Sequence, residues 1–458
     1  MKRPILVAFF FFIVATVSQG AELSVFPEVI RLVGPNSSQQ LLVSAGNQDV
    51  TRESTFEIEP AGVVKIDDRG FATPVGGGSA RVTVNAKGRS KSFEVLVENF
   101  GEIPLVSFHN EILPILTRNE CNSGGCHAKE TGQNGFHLSL FGYEPEKDYR
   151  GLLHQSRGRR ISLAAPSESL ILRKASGDTP HEGGARIGKD GRDYSTILRW
   201  IEQGATYGSD DEAQVERIEI TPRNRVIQPS GNQQLLVTAH FSDGSTKDVT
   251  RAAQFEANHE DMAQVDGAGL VAFAEKPGST SVMVRFREHV DVFRATIPLG
   301  HKTPATPSPV NFIDKHVFEQ LKLLGMPASV MSDDAMFLRR VTIDIGGRIP
   351  TLEETQEFKA SQDPDKRAKK IDALLNSVEY ADHFAGKWSG ILRNKAQGNL
   401  DWVSRETYAF HGWLRQGFLD NKPFDQIVTH TSRATPNPDS PALCSAKFLT
   451  IYLQSDPR

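Results

Sequence analysis

Two stretches of this chain alternate apolar and polar residues at the period of a strand. Over 23–98, short runs such as Gln40-Leu41-Leu42-Val43 and Ala80-Arg81-Val82-Thr83-Val84 are separated by Gly, Asn and Asp clusters. That pattern predicts a sandwich of short strands. Residues 215–299 repeat it. Gln39-Gln40-Leu41-Leu42-Val43 returns as Gln233-Gln234-Leu235-Leu236-Val237, and Asp49-Val50-Thr51-Arg52 as Asp248-Val249-Thr250-Arg251. Val64-Lys65-Ile66-Asp67 with Gly70 returns as Ala263-Gln264-Val265-Asp266 with Gly269. Matching stretches in the same order predict one fold used twice. The second copy is longer by five residues around Asp243-Gly244, a hairpin-turn pair. In each Asp-Val-Thr run the Asp is expected to close a turn and the Val to enter the core, with calcium binding as the alternative.

Between and after these stretches the period becomes helical. Within 103–212, Ile112-Leu113-Pro114-Ile115-Leu116 leads in, and Tyr194 to Gly204 reads as an amphipathic helix with a glycine cap. Ile197, Trp200 and Ile201 fall on one face of it. Residues 300–309 form a Pro/Thr linker. From 310 to 435 the pattern predicts an all-α domain. Thr351-Leu352-Glu353-Glu354 is a capping box, Asp363-Pro364 opens a helix, and Ile371, Leu374 and Leu375 have core spacing, as do Trp413, Leu414 and Phe418. The tail, 436–458, is apolar from Ala442 up to Leu453 and reads as the stump of something longer. The expected architecture is multidomain, with two β-sandwich domains flanking an all-α domain and a second all-α domain after them.

Composition narrows the class. A net charge of −4 over 458 residues gives no basic surplus, which excludes a nucleic-acid partner. Met1-Lys2-Arg3, an apolar run from Pro4 to Val17, and Ser18-Gln19-Gly20 make residues 1–20 a signal peptide with cleavage before Ala21. The protein is therefore expected to be exported, in the periplasm or at the cell surface. Membrane attachment is expected only if that segment stays uncleaved.

Export makes the cysteines informative. Two of the three lie in Cys121-Asn122-Ser123-Gly124-Gly125-Cys126-His127. A c-type haem needs two thiols to add across its vinyl groups and an imidazole beside the second to ligate iron. Four residues separate these cysteines where two are usual, and Gly124 and Gly125 are expected to supply positive φ for the wider loop. The residues alone leave three readings open: haem, a Cys121–Cys126 disulfide permitted by export, and a metal site. Zinc takes about four ligands, and no second Cys pair supplies them. Cys444 is expected to be a buried free thiol, with intermolecular pairing as the alternative.

The layout of the two repeats, strand, Asp-Val-Thr, Phe and a Gly-x-Ala/Ser close, resembles bacterial immunoglobulin-like domains of group 2. That resemblance implies spacers, or an adhesive contact with polysaccharide or another cell-surface component. The middle segment resembles the cytochrome-c-like domain of large exported planctomycete proteins. The residues that carry it run from Cys121 to His127, then Gly132-Gln133-Asn134-Gly135-Phe136, Leu138-Ser139-Leu140-Phe141-Gly142-Tyr143, Asp148-Tyr149, Arg159-Arg160, Pro166, Ser169-Leu170, His181, Gly183-Gly184 and Leu198-Arg199-Trp200-Ile201. The C-terminal region is similar to the helical domain of unknown function associated with that module, at Phe337-Leu338-Arg339-Arg340, Asp344, Gly347-Arg348-Ile349-Pro350-Thr351, Ile371-Asp372, Leu374-Leu375, Glu379-Tyr380 and Trp388. The four-residue loop is the form found in that family. The resemblance implies one covalent haem c on Cys121 and Cys126, His127 as the proximal iron ligand, and electron transfer with an unnamed redox partner.

For the sixth ligand, no methionine lies between Met1 and Met262, so a local one is ruled out. His181, in Thr179-Pro180-His181-Glu182-Gly183-Gly184, is the candidate, with His137 and His154 as rivals. A bis-His site tends to a low potential, because Met is the ligand that raises it. Arg157, Arg159 and Arg160 are expected to form a solvated loop, the alternative being haem propionates or an acidic partner. Arg339, Arg340, Asp344 and Arg348 read as a buried Arg–Asp network. His383, His411 and His430 form no metal-spacing motif, and no Gly-x-Ser-x-Gly, phosphate loop or HExxH occurs. The chain is thus expected to carry electrons or bind rather than catalyse. The alternatives are an adhesion scaffold with a Cys121–Cys126 disulfide, and a haem enzyme with an open axial position.

Overall fold

The protein is described by a computed structural model at residues 22–209, 212–301, 305–395 and 401–433, with backbone alone at 401–406 and 430–433. The targeting segment, Cys444, the tail from 436 and part of the linker lie outside the described residues. Two compact units divide the chain after Ala328.

The first unit begins with a β-sandwich. Val29–Val33, Arg89–Glu98, Gly78–Ala86 and Thr55–Glu59 lie side by side in that order, the first pair parallel and the others antiparallel. Leu23–Phe26, Leu42–Ala45 and Gln48–Asp49 make an opposing sheet, and Gln39–Gln40, Phe71–Pro74 and Val64–Ile66 a third. Alternation along these strands sends Val82, Val84, Val95 and Val97 inward to meet Val25, Leu32, Leu41 and Val43. The second copy reproduces every pairing. Asn224–Val226, His289–Ile297, Gly278–Phe286 and Gln254–Ala257 form its four-stranded sheet, again with a parallel first pair. The longer turn closes a hairpin, where Asp243 Oδ1 accepts the Ser245 N–H at 2.8 Å.

The Asp-Val-Thr runs close turns as expected. Asp49 Oδ1 accepts from Thr51 N (2.9 Å) and Thr51 Oγ1 (2.6 Å), and Val50 is buried. Asp248 does the same with Thr250 at 2.8 and 2.6 Å. The other carboxylate oxygen does something the sequence did not announce. Asp49 Oδ2 accepts the backbone N–H of Gln234, and Asp248 Oδ2 that of Gln40. The two sandwiches are joined by a reciprocal exchange between repeated residues.

The segment between the sandwiches is helical but loop-rich. Its helices are α1 (Leu113–Arg118), α2 (Pro145–Leu153), α3 (Leu170–Ala175) and α4 (Arg192–Glu202), with a π-helical turn at Phe108–Ile112 before α1. Ile197, Trp200 and Ile201 of α4 are fully buried against Phe108, Ile112, Leu138, Leu152 and Leu172. Trp200 Nε1 donates to Thr206 O at 2.8 Å, so the indole is buried with its polar atom met. Asp148 is buried and accepts from Ser139 N and Oγ, both at 2.6 Å, which ties α2 to the loop before it.

α5 (Phe312–Leu324) follows the second sandwich and belongs to the same unit. Gln320 Nε2 donates to Ser279 Oγ at 2.7 Å, and Leu299 N to Leu324 O at 2.8 Å. The sequence pattern placed this stretch in the helical domain. Its anchorage through these bonds sets it on the strand end instead.

The second unit is helical: α6 (Asp334–Gly346), α7 (Leu352–Ala360), α8 (Lys366–Leu375), α9 (Val378–Ile391), α10 (Asp401–Leu419) and α11 (Phe424–Arg433). Ala385, Phe410, Leu414 and Ile427 form its apolar centre, flanked by Trp388, Trp413 and Phe418. The Thr351/Glu354 capping box is present on α7. Asp363-Pro364 does not open α8, because Asp363 Oδ1 accepts the Asp365 N–H at 2.9 Å in a turn and the helix starts at Lys366. The expected buried Arg–Asp network is also absent among the described residues. Arg339, Arg340 and Asp344 are exposed, and Arg348 pairs instead with Glu354, at 2.8 and 3.1 Å. Lys370 reaches the same carboxylate at 2.9 Å, and these partners hold Glu354 far below the usual carboxylate range, the Arg348 bond foremost. Among the described residues no helix is long and apolar enough to cross a membrane.

Candidate functional site

α1 ends at Arg118 and delivers the chain into the cysteine loop. The loop is wound as successive tight turns: Cys121 N donates to Leu116 O (2.9 Å), Cys126 N to Ser123 O (3.0 Å) and His127 N to Cys121 O (3.1 Å). Positive φ was expected at Gly124 and Gly125. Neither has it; Glu120, at φ 60°, turns the chain before the first cysteine. Asn122 is fully buried, its Nδ2 donating to Thr117 Oγ1 at 3.0 Å and its carbonyl accepting from Phe141 N at 3.1 Å. Cys121 and Cys126 are free thiols. Burial, and after it the neighbouring Cys126, pushes the Cys121 thiol up to about 12, so it is held protonated.

Both cysteines, His127 and His181 line one cavity of about 520 Å³. That is within the range of cofactor sites, ~300–1,000 Å³. Its walls are mostly apolar, including Leu116, Leu138, Leu152 and Ile187, all buried. The imidazoles of His127 and His181 have centres 6.2 Å apart and planes 11° from parallel. Each Nδ1 is committed to a backbone carbonyl: His127 to Phe136 O at 3.1 Å, His181 to Gly184 O at 2.9 Å. A ligating histidine characteristically donates its other ring N–H in this way. Both Nε2 atoms are left for a ligand. Burial lowers the pKa of His127, so its ring is neutral at physiological pH, the form a metal requires. His137 and His154 do not line the cavity.

The His127 side of the cavity is braced by a residue that the sequence assigned to a solvated loop. Arg160 is buried, not solvated. Its guanidinium lies 4.3 Å from the centre of the Phe136 ring and donates to Gly151 O (2.9 Å), Gln155 O (3.1 Å) and Gly135 O (3.1 Å). Phe136 in turn packs on His127 at 4.7 Å. The carbonyl that holds His127 comes from a tight turn, Gln133 to Phe136, whose Asn134-Gly135 pair has φ 50° and 72°. The Asn-Gly pair was the readable signal for it. Arg157 is exposed away from the cavity, while Arg159 is exposed at the cavity wall.

A covalent haem fits these residues. Two imidazole nitrogens each about 2 Å from one metal, plus about 1 Å from nitrogen to ring centre, require roughly 6 Å between centres. The two ring centres have that separation, beside two unbridged thiols and in a largely apolar cavity of cofactor size. Among the described residues no three His, Cys, Asp or Glu side chains are grouped as they would be around a bare metal ion. A haem iron needs only two protein ligands, because the porphyrin supplies the others.

The family described as PSCyt2, protein of unknown function (DUF1549), matches residues 312–456, from α5 onward. No curated protein matches. The surface layer protein SbsC, domains 1–6, is similar at 10% identity over 62% of this chain and 29% of that one, with a TM-score of 0.17. SbsC domains 5–6 match at 8% identity over 61% and 98%, with a TM-score of 0.24. A putative alpha-galactosidase from Bacteroides fragilis matches at 15% identity over 29% and 34%, with a TM-score of 0.14. This chain spans less than a third of the first of these. None of these scores carries an argument about this chain. Over its C-terminal third the chain is similar to the PSCyt2 family of unknown function.

Proposed function

We propose that this chain is an exported c-type cytochrome that carries one haem and transfers electrons. Cys121 and Cys126 would hold the haem covalently, and His127 and His181 would ligate its iron. The observation that carries the reading is the facing pair His127 and His181, each fixed through Nδ1 to a carbonyl, across a cavity that also exposes two free thiols. When bound, the haem would supply a one-electron couple. The chain's own contribution is to orient both imidazoles through their Nδ1 bonds, to hold that of His127 neutral, and to line the cavity with apolar side chains such as Leu116, Leu138 and Leu152. Two histidine ligands favour a low potential, while apolar walls and buried Arg160 oppose that, both disfavouring the more positive ferric state. The two sandwiches, clamped on either side, position the module at a periplasmic or cell-surface location, where they contact polysaccharide or another surface component.

The test is haem content. The chain would be produced with cytochrome c maturation, and a pyridine haemochrome spectrum taken on denatured protein. A c-type band that survives denaturation and is lost when Cys121 and Cys126 are both replaced by alanine supports the reading. A colourless, fully matured protein with Cys121 and Cys126 joined as a disulfide sinks it and leaves an adhesion scaffold.

A further inference from the structure

The first sandwich, the helical module and the second sandwich meet at a small cavity of about 110 Å³. Arginines come to it from two of the three. Arg192 opens α4 and crosses to the first sandwich, donating from Nη1 to Ser38 Oγ (2.8 Å) and from Nη2 to Asn36 O (2.9 Å). Arg199 stands seven residues on, two helical turns along the same face. Arg251 comes from the second sandwich, its guanidinium 3.7 Å above the Phe71 ring of the first. Lys247 adds a fourth cation to the lining.

These cations have more donors than acceptors. Arg199 Nε, Arg251 Nε and Arg251 Nη2 are buried without a hydrogen-bond partner, the nearest carboxylate to Arg251 being Asp67 at 3.7 Å. The carboxylates in the same wall each have partners elsewhere. Asp248 accepts from Thr250 and from Gln40 N, Asp193 Oδ2 accepts from Asn119 and pairs with Arg118 at 3.3 Å, and Glu111 Oε2 accepts from Ser107 N. Like-charged guanidinium groups with buried, unmet N–H groups are costly unless an acceptor joins them. Arginine forks are suited to oxyanions. A tetrahedral ion presents acceptors in several directions at once, as a site lined from separate modules needs, and the volume suits an ion of that size better than a sugar or peptide.

We propose that this junction binds one small tetrahedral oxyanion, phosphate or sulfate, between Arg192, Arg199 and Arg251, and that the ion pins the three modules together. Neither the haem nor its ligands enter this inference.

Equilibrium dialysis of the full mature chain against inorganic phosphate tests it, with chloride at matched ionic strength as control and sulfate as competitor. The expected result is saturation near one phosphate per chain, displaced by sulfate and untouched by chloride. Arg199→Gln should weaken binding by about tenfold or more. Its side chain makes no hydrogen bond in the structure, so circular dichroism should be unchanged; Arg251→Gln also removes the Phe71 contact and serves as the second variant. Absence of saturation, equal displacement by chloride, or Arg199→Gln binding like the parent with its fold intact would overturn the proposal and leave ordered water in the cavity.

Discussion

Asp49 and Asp248 occupy the same place in two copies of one fold, and each extends its second carboxylate oxygen into the other copy. Asp49 takes the N–H of Gln234, Asp248 that of Gln40. Each recipient glutamine is itself buried and repeated. Gln40 Nε2 donates to Leu41 O and Arg69 O, and Gln234 Nε2 to Leu235 O and Ala268 O. The repetition in sequence is therefore also an interface, approximately two-fold, made by residues that serve the turn and the junction together.

Replacing either aspartate by alanine should cost more than a turn. A hydrogen bond to a charged acceptor is worth about 1.5–3 kcal/mol, and each aspartate supplies bonds on both sides. We expect Asp49→Ala and Asp248→Ala to destabilise the first unit by about 2–4 kcal/mol each, and their combination to fall short of the sum because both act on one interface. Denaturant unfolding of the single and double variants checks this. Strict additivity would mean that the two exchanges are independent.

Gly132→Ala should act on His127 through a carbonyl. Gly132 has φ 61°, and a Cβ there would lie 2.4 Å from Phe136 O, the atom that holds His127 Nδ1. Moving that carbonyl frees the imidazole to rotate. Strain of this kind costs on the order of 1–3 kcal/mol. The imidazole proton resonance of His127 should shift or broaden in the variant, whereas that of His109, outside the cavity, stays put. An unmoved His127 resonance would show that the turn relaxes without it.

The two sandwiches were legible because strand alternation and a repeated order of residues are local signals. The contact between them was not, because nothing in Asp-Val-Thr distinguishes a turn aspartate from one that also reaches another module. At the candidate site, Cys121, Cys126, His127 and His181 were all readable as residue types, and Pro180-His181 in its glycine-rich loop singled out the second histidine of the cavity. Arg160 was misread because its charge argued for solvent; its burial depends on three carbonyls and an aromatic ring that only the fold assembles. Arg348 was assigned to aspartate because Asp344 is near in sequence, while the capping glutamate Glu354 is near in space.

If His181 is the distal ligand, His181→Ala leaves the matured protein with an open coordination position. The absorption spectrum should change from six-coordinate to five-coordinate form, and added imidazole should restore it. The parent protein should be indifferent to imidazole in the same range. Covalent attachment should survive, since Cys121, Cys126 and His127 are untouched. An unchanged spectrum in this variant, with His137→Ala or His154→Ala altering it instead, would reassign the ligand.

His109 gives the junction between the helical module and the second sandwich a pH dependence of known sign. Burial, and after it the charge of Arg287, depresses its pKa from 6.5 to about 4, against the weaker opposite pull of Glu288. Arg287 donates to Asn110 Oδ1 at 2.8 Å and contacts the His109 ring, and Tyr207 stacks on that ring at 6.3 Å. The folded protein thus prefers His109 neutral, while the unfolded chain protonates it near 6.5. The stabilisation is present in full above about pH 6.5 and is lost as pH falls toward 4. Thermal unfolding of the first unit should therefore move to lower temperature across that window. His109→Gln keeps an acceptor for Arg287 but cannot titrate, so its unfolding temperature should fall less steeply than the parent's between pH 6.5 and 4. His127, whose pKa is also lowered by burial, contributes a slope of the same sign that this variant retains. Parallel curves for parent and variant would place the acid sensitivity with His127 or with the carboxylates, and remove His109 from the account.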